Sequence, residues 1–210
     1  AKSISGRSPL MITISAALLF NGHHLGDSNV QTYRNFFKLI DDIQTDRVDA
    51  APVNPSTLRF VLNCLAWEIA VAPSSTTSSR EQAIVSKIMA ELDCTPLKAA
   101  DSLSQCLEYW QSKGLVETVH VGLTESMTFV HKTFCEYAAA RHLTEMEEEK
   151  KIQLIRQHLH NPDLREVMGF AAALGCAPQI FASYKNSTAT NTEKLKLLAH
   201  LLGSIADGRA

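Results

Sequence analysis

Apolar and polar residues alternate with one period up to His131 and with another after it. Through Ser126-Met127-Thr128-Phe129-Val130 the pattern repeats every two residues, as in a half-buried strand. From His131 onward Phe134, Tyr137, Ala138 and Arg141 recur at the three- and four-residue spacing of one helical face. Just upstream, Leu115 to Val121 also alternates, Gly122 to Glu125 supplies a turn, and Met127 to Val130 makes the returning strand of a hairpin. Elsewhere the helical period dominates. It predicts helices over Pro9 to Phe20, about Val30 to Thr45, Pro55 to Val71, Ser79 to Leu92 and Pro96 to Lys113. Beyond Leu143, acids followed by bases in Glu145 to Lys151 open a helix that reaches about His160. Another runs from Pro162 to Gly175, and short amphipathic helices continue through Phe181 and from Thr192 to Ile205.

Local signals set the boundaries. Ser8-Pro9, Asn54-Pro55, Thr95-Pro96 and Asn161-Pro162 each place a capping side chain before a proline, which gives up no useful amide at the first helical position. Ser78 with Glu81, Thr190 with Glu193 and Thr144 with Glu147 have the spacing of capping boxes. Gly114 and Gly175 stand where helices should stop, and Asn21-Gly22-His23-His24 ends the first. Asp49-Ala50-Ala51-Pro52-Val53 reads as a linker, and Ala72 to Ser79 as a polar loop.

The expected fold is therefore mainly α. Three helices followed by a hairpin is the order of a winged helix-turn-helix, and the later helical pairs look like the opening of an α-solenoid. This divides the chain into a helical domain (1–50), a winged-helix domain (51–143) and a solenoid-like region (144–210). The first helix is apolar on nearly every face, so it needs neighbours on several sides, or it leaves a face bare where neighbours are missing.

Composition narrows the function. The 210 residues carry a net charge of -2, 45% hydrophobic and 20% charged residues, as in an ordinary soluble globular protein with no broad basic field for nucleic acid. The expected recognition helix, Pro96 to Lys113, sets Lys98 and Lys113 against Asp101 and Glu108, and Leu103, Cys106, Leu107, Tyr109 and Trp110 point to packing against protein. Cys64, Cys94, Cys106, Cys135 and Cys176 form no C-x-x-C pair and read as buried thiols in a reducing compartment, which places the protein in the cytoplasm. The Pro9 to Phe20 run is too short to span a bilayer and lacks signal-peptide flanks. Its abrupt position near the start suggests a piece of something longer.

Candidate chemistry is sparse. No phosphate loop, magnesium-binding acids, nucleophile elbow or H-E-x-x-H occurs, so this chain alone is expected to be non-catalytic. His23 and His24 have no third metal ligand at usable spacing. Cys135 lies four residues after His131 on roughly the same face, but Ala138 and Ala139 beside it point to burial rather than to a nucleophile. His131 itself sits beside the unpaired amides of a helix start, where the dipole favours anions. It either adds a donor to a bound phosphate or only hydrogen-bonds its neighbours.

The segment Phe129-Val130-His131-Lys132-Thr133-Phe134-Cys135-Glu136-Tyr137-Ala138-Ala139-Ala140 resembles the F-x-H-x-[ST]-F-x-E-[YF]-x-A-A segment in the winged-helix domain of NACHT NTPases. These are STAND-class signalling ATPases that include NOD-like receptors and bacterial defence proteins. Ser8-Pro9-Leu10-Met11 is similar to the start of the helical domain after the NACHT core, and Gly114-Leu115-Val116 to the opening of the wing, so the likeness spans about residues 1–143. It implies that Pro9 packs on adenine and that His131 contacts the ADP β-phosphate in a closed resting state. Exchange for ATP would release the winged-helix domain, and the opened parent, with magnesium, would form homo-oligomers and signal. Cys135 stands where many relatives have glutamine. The phosphate loop and magnesium acids would lie in an upstream NACHT core acting in cis, so this chain would not hold ADP/ATP tightly. No membrane partner is implied. The alternative is a stand-alone winged-helix module for protein interaction or transcription regulation.

Overall fold

The computed structural model describes residues 9–46, 53–121, 124–187 and 190–209. The chain is mostly helical with one small antiparallel sheet. Its elements are α1 (Pro9–Phe20), α2 (Asn29–Asp46), α3 (Pro55–Val71), α4 (Thr77–Leu92), α5 (Pro96–Ser112), β1 (Val116–Val121), β2 (Thr124–Phe129), α6 (Lys132–Glu145), α7 (Glu148–His158), a 3-10 turn (Pro162–Leu164), α8 (Arg165–Ala171), a π-type turn (Ala172–Cys176), α9 (Ala177–Lys185) and α10 (Asn191–Arg209).

The proline caps act as their chemistry requires. Asn54 accepts from the Ser56 amide, Thr95 from Lys98 and Asn161 from Asp163. The cap at Ser8, most of the linker around Pro52 and the turn at 122–123 lie outside the described residues. Thr190 and Glu193 form the expected reciprocal box. The other two boxes do not form. Thr76, not Ser78, caps α4 by accepting from Ser79, and Thr144 stays inside α6 with its hydroxyl on the Arg141 carbonyl. In both cases a neighbouring residue takes the helix boundary first. The returning strand is also longer than its alternation suggested. Thr124 pairs with Val121 and Glu125 with His120 at the wing tip, because cross-strand hydrogen bonds there do not need an apolar face.

The centre of the core is α3 lying against α6. From Val61 to Trp67 every residue of α3 is buried, and α6 is buried from Phe134 to Ala140. Ala138, Ala139 and Ala140 are fully buried where α6 packs on both α3 and α8, and on the α3 side Cys135 Sγ lies 3.5 Å from the Ala66 carbonyl. Around this pair α4 and α5 pack on α3, with Trp110 fully buried and donating from Nε1 to the Leu58 carbonyl at 3.0 Å. Arg80 of α4 is buried too. Its guanidinium donates to the Ala72 and Pro73 carbonyls at the end of α3 and to Ser126 of β2, so it offsets the negative end of α3 and ties the wing in place.

On the other side Tyr33, Phe36 and Phe37 of α2 meet Phe134 and Tyr137 of α6 and Phe170 of α8 in one aromatic cluster. Arg141 crosses its edge, 2.8 Å from Asp41 and over the Phe37 ring. The last helices fold back: α8 packs on α6, and α10 on α8 and α2. Gly169 allows the close α8–α10 crossing, since a Cβ there would lie 2.6 Å from His200 Nε2. Gly175, at φ +119°, makes the bend before α9. The stretch Pro162–Lys185 is long and apolar enough to cross a membrane by length and composition, and Leu164, Val167, Met168, Ala171 and Ile180 place its apolar side in the core. By contrast α1 buries only Met11, Ile14, Ser15 and Leu18, while Ile12, Leu19 and Phe20 are 46%, 55% and 91% exposed. One face of this helix is covered; the other is bare.

The five cysteines are free, and all but the half-buried Cys94 lie in the interior. Burial pushes the Cys64, Cys106 and Cys135 thiols up to about 12.

Replacing Trp110 with alanine removes a fully buried indole and its hydrogen bond, and should lower stability by about 3–5 kcal/mol in urea unfolding. His142 generates a pH dependence. Buried between α3 and α6 beside Cys64, Phe60 and Trp67, it has its imidazole lowered to about 3 by desolvation, with Lys87 adding to the effect. The folded chain holds it neutral while the unfolded chain binds a proton below about pH 6.5, so its contribution is complete above that pH and is lost progressively down to about pH 3. Between pH 7 and 5 the urea midpoint should fall more steeply for the wild type than for His142→Leu.

Candidate functional site

The hairpin and α6 together position His131. β2 ends at Phe129, Val130 donates its amide to the Leu115 carbonyl, and the chain turns directly into α6 with His131 as the N-cap. The cap residue has extended backbone angles, φ -139° and ψ 131°, and its ring Nδ1 accepts from the Thr133 amide at 3.3 Å. This settles the tautomer. An Nδ1 that accepts carries no proton, so a neutral His131 has its hydrogen on Nε2, as a donor. The ring lies edge-on to Phe134, 6.0 Å between centroids, and the residue is exposed. The simpler reading of His131 as a cap is thus correct for one nitrogen and leaves the other available.

Next to it the charges are balanced locally. Lys132 reaches Glu136 at 3.3 Å, and burial raises the Glu136 carboxyl against the pull of that lysine. Cys135 points into the α3–α6 interface, and its raised thiol makes it a packing group. Pro9 is exposed at the first position of α1. No hydrogen bond, ion pair or ring contact joins it to His131 among the described residues.

The structure does bring the surroundings of both residues to one cleft. A cavity of about 460 Å³ opens between α1, α2, the start of α6, α8 and α10. Met11, two residues after Pro9, and Thr133, two residues after His131, both line it. Its apolar wall includes Val30 and Phe170, and its polar groups are Asn29, Tyr33, Thr133, Glu166, His200 and Ser204. Burial raises the Tyr33 hydroxyl, while a hydrogen bond with Thr133 pulls the other way. His200 Nε2 lies 3.7 Å from Glu166. The size and mixed lining suit a small organic ligand.

Neither Pro9 nor His131, the two residues singled out from the sequence, lines this cleft, and sequence reasoning marked none of the polar groups that do as a site. Glu166, His200 and Ser204 lie far along the chain, with no motif to mark them, and only the fold-back of α8 and α10 brings them here. The adjacent His23 and His24 have no third partner: no group of three His, Cys, Asp or Glu able to hold a metal occurs among the described residues. Compared with protein-family models and with curated proteins, the chain matches none.

The cap can be tested apart from any ligand. His131→Ala should destabilise the chain by about 0.5–2 kcal/mol in urea unfolding, whereas His131→Asn, which keeps a capping acceptor, should remain close to wild type.

Proposed function

We propose that this chain is the helical and winged-helix portion of a NACHT-type signalling ATPase, in which His131 senses whether ADP or ATP is bound and so controls opening and oligomerisation. The observation that carries the reading is the exposed His131 at the N-cap of α6, with Nδ1 accepting from the Thr133 amide and Nε2 left as a donor, two residues before the Thr133 that lines an open cleft. The order α3, α4, α5, β1, β2, with the hairpin clamped by Arg80, supports a winged helix-turn-helix for residues 51–143. In this reading α1 and α2 belong to the preceding helical domain, and α7 to α10 begin a superhelical region.

Chemically the part is a sensor. A phosphate accepting from His131 Nε2 in one arrangement of the domains and losing that bond in another biases their equilibrium by the difference. The magnesium-dependent core, the partner in cis, would lie upstream, Pro9 would touch the adenine, and the intact parent would be a cytoplasmic homo-oligomer. The bare Ile12, Leu19 and Phe20 on α1 fit a domain with a neighbour still to pack against it.

In the intact parent, His131→Ala should weaken ADP retention by about 1.5–3 kcal/mol and raise activity in the absence of stimulus. His131→Asn separates the two roles, keeping the cap while altering the phosphate contact. Equal ADP affinity in wild type and both variants would end the sensor role, and a coding sequence with no Walker-type loop upstream of Ala1 would end the family reading.

A further inference from the structure

A second surface lies away from His131, where α4 and α5 run side by side under the wing. Between them is an open trough of about 350 Å³. Val85 of α4, Leu103 and Leu107 of α5 and Met127 of β2 are its larger apolar lining residues. Glu81 of α4 and Glu108 of α5 line it as well. Neither carboxylate makes an ion pair among the described residues, and the Glu108 carboxylate accepts only a long 3.5 Å hydrogen bond from Ser104. Leu97, at the start of α5, is 74% exposed. Leu103 and Leu107 are already buried and Val85 and Met127 half-buried, so the trough presents a largely covered apolar surface beside two carboxylates without ion pairs, and that pairing has a definite complement.

We propose that the α4–α5 trough docks a cationic amphipathic helix from a partner protein. Leucine-sized side chains, spaced three and four apart, would enter between Val85, Leu103, Leu107 and Met127, and flanking lysines or arginines would meet Glu81 and Glu108. The two helices supply most of the trough and the hairpin contributes Met127 to it. The Gln111 side chain is already engaged, donating to Thr118 of β1 at 2.8 Å, so the wall on the wing side is preset. α5 stands where a DNA-reading helix would in a winged helix. The same two glutamates that suit a basic peptide repel phosphates, so this face selects protein over nucleic acid. The inference does not depend on nucleotide binding at His131.

The test uses this chain and two fluorescein-labelled peptides that repeat Leu-Lys-Lys-Leu-Leu-Lys-Leu twice, one as written and one with glutamate in place of every lysine. Fluorescence anisotropy should show the lysine peptide binding at least about tenfold more tightly than the glutamate peptide. The double variant Glu81→Lys/Glu108→Lys should weaken the lysine peptide by about tenfold or more and improve the glutamate peptide. The control Glu147→Lys/Glu149→Lys, which changes net charge equally on α7, should leave both affinities within about twofold of wild type. Val85→Asp, checked for unchanged helicity by circular dichroism, should also lose the lysine peptide. If the two peptides bind alike, or if the α7 control weakens the lysine peptide as much as the trough variant does, the docking site is wrong.

Discussion

The close packing of α6 on α3 is the constraint from which the rest of the arrangement follows. Across it Cys135, His142 and Glu145 of α6 touch Ala66, Cys64 and Asn63 of α3, and the small Ala138 to Ala140 are fully buried among the neighbours of α6. An α6 fixed in this way sets the position of its N-cap residue. His131 must project at the edge of the core, at the end of a hairpin that Arg80 and Thr77 hold from the α4 side. A buried polar pair such as Cys64 and His142 contributes little net stability, but it penalises any register in which the imidazole would have to be charged.

The opposite face of α6 ties the start of that helix to α2 and α8 by side-chain packing. Phe134 and Tyr137 lie three and six residues beyond it, and both join the aromatic cluster shared with α2 and α8. At the far edge of the cluster Arg141 meets Asp41, whose carboxyl is raised by burial while the guanidinium draws it down. Rings in edge and stacked contact do not deform gradually; they repack in discrete arrangements. Through these rings the N-terminal half of α6 is in contact with both α2 and α8. The cleft lined by Thr133, Tyr33 and Phe170 is the open side of the same cluster.

Much of the fold was legible because its signals are local. A capping side chain followed by proline marks a helix start by hydrogen bonding within three residues, and the change of period at His131 needs only the neighbouring side chains. α1 and α3 begin and end where the pattern placed them. The failures are equally physical. Ser78 with Glu81 and Thr144 with Glu147 have the right spacing, but spacing does not choose between adjacent candidate caps, and Thr76 and the continuing turn of α6 were better placed. Val121 and Thr124 pair at the wing tip through backbone alone, which hydrophobic alternation does not record. α1, apolar all round, called for neighbours on several sides and has them on one.

His131 as the first residue of a helix, the buried alanine and aromatic face behind it, the absence of a phosphate loop and the free thiols follow from residue type and spacing, because each depends on chemistry within a turn or two of chain. The cleft that joins the surroundings of Pro9 and His131, the cation Arg80 buried against the end of α3, and the trough between Glu81 and Glu108 were decided by tertiary structure. Each requires groups separated along the chain to meet at a hydrogen-bond or van der Waals distance, and no one-dimensional pattern encodes that distance.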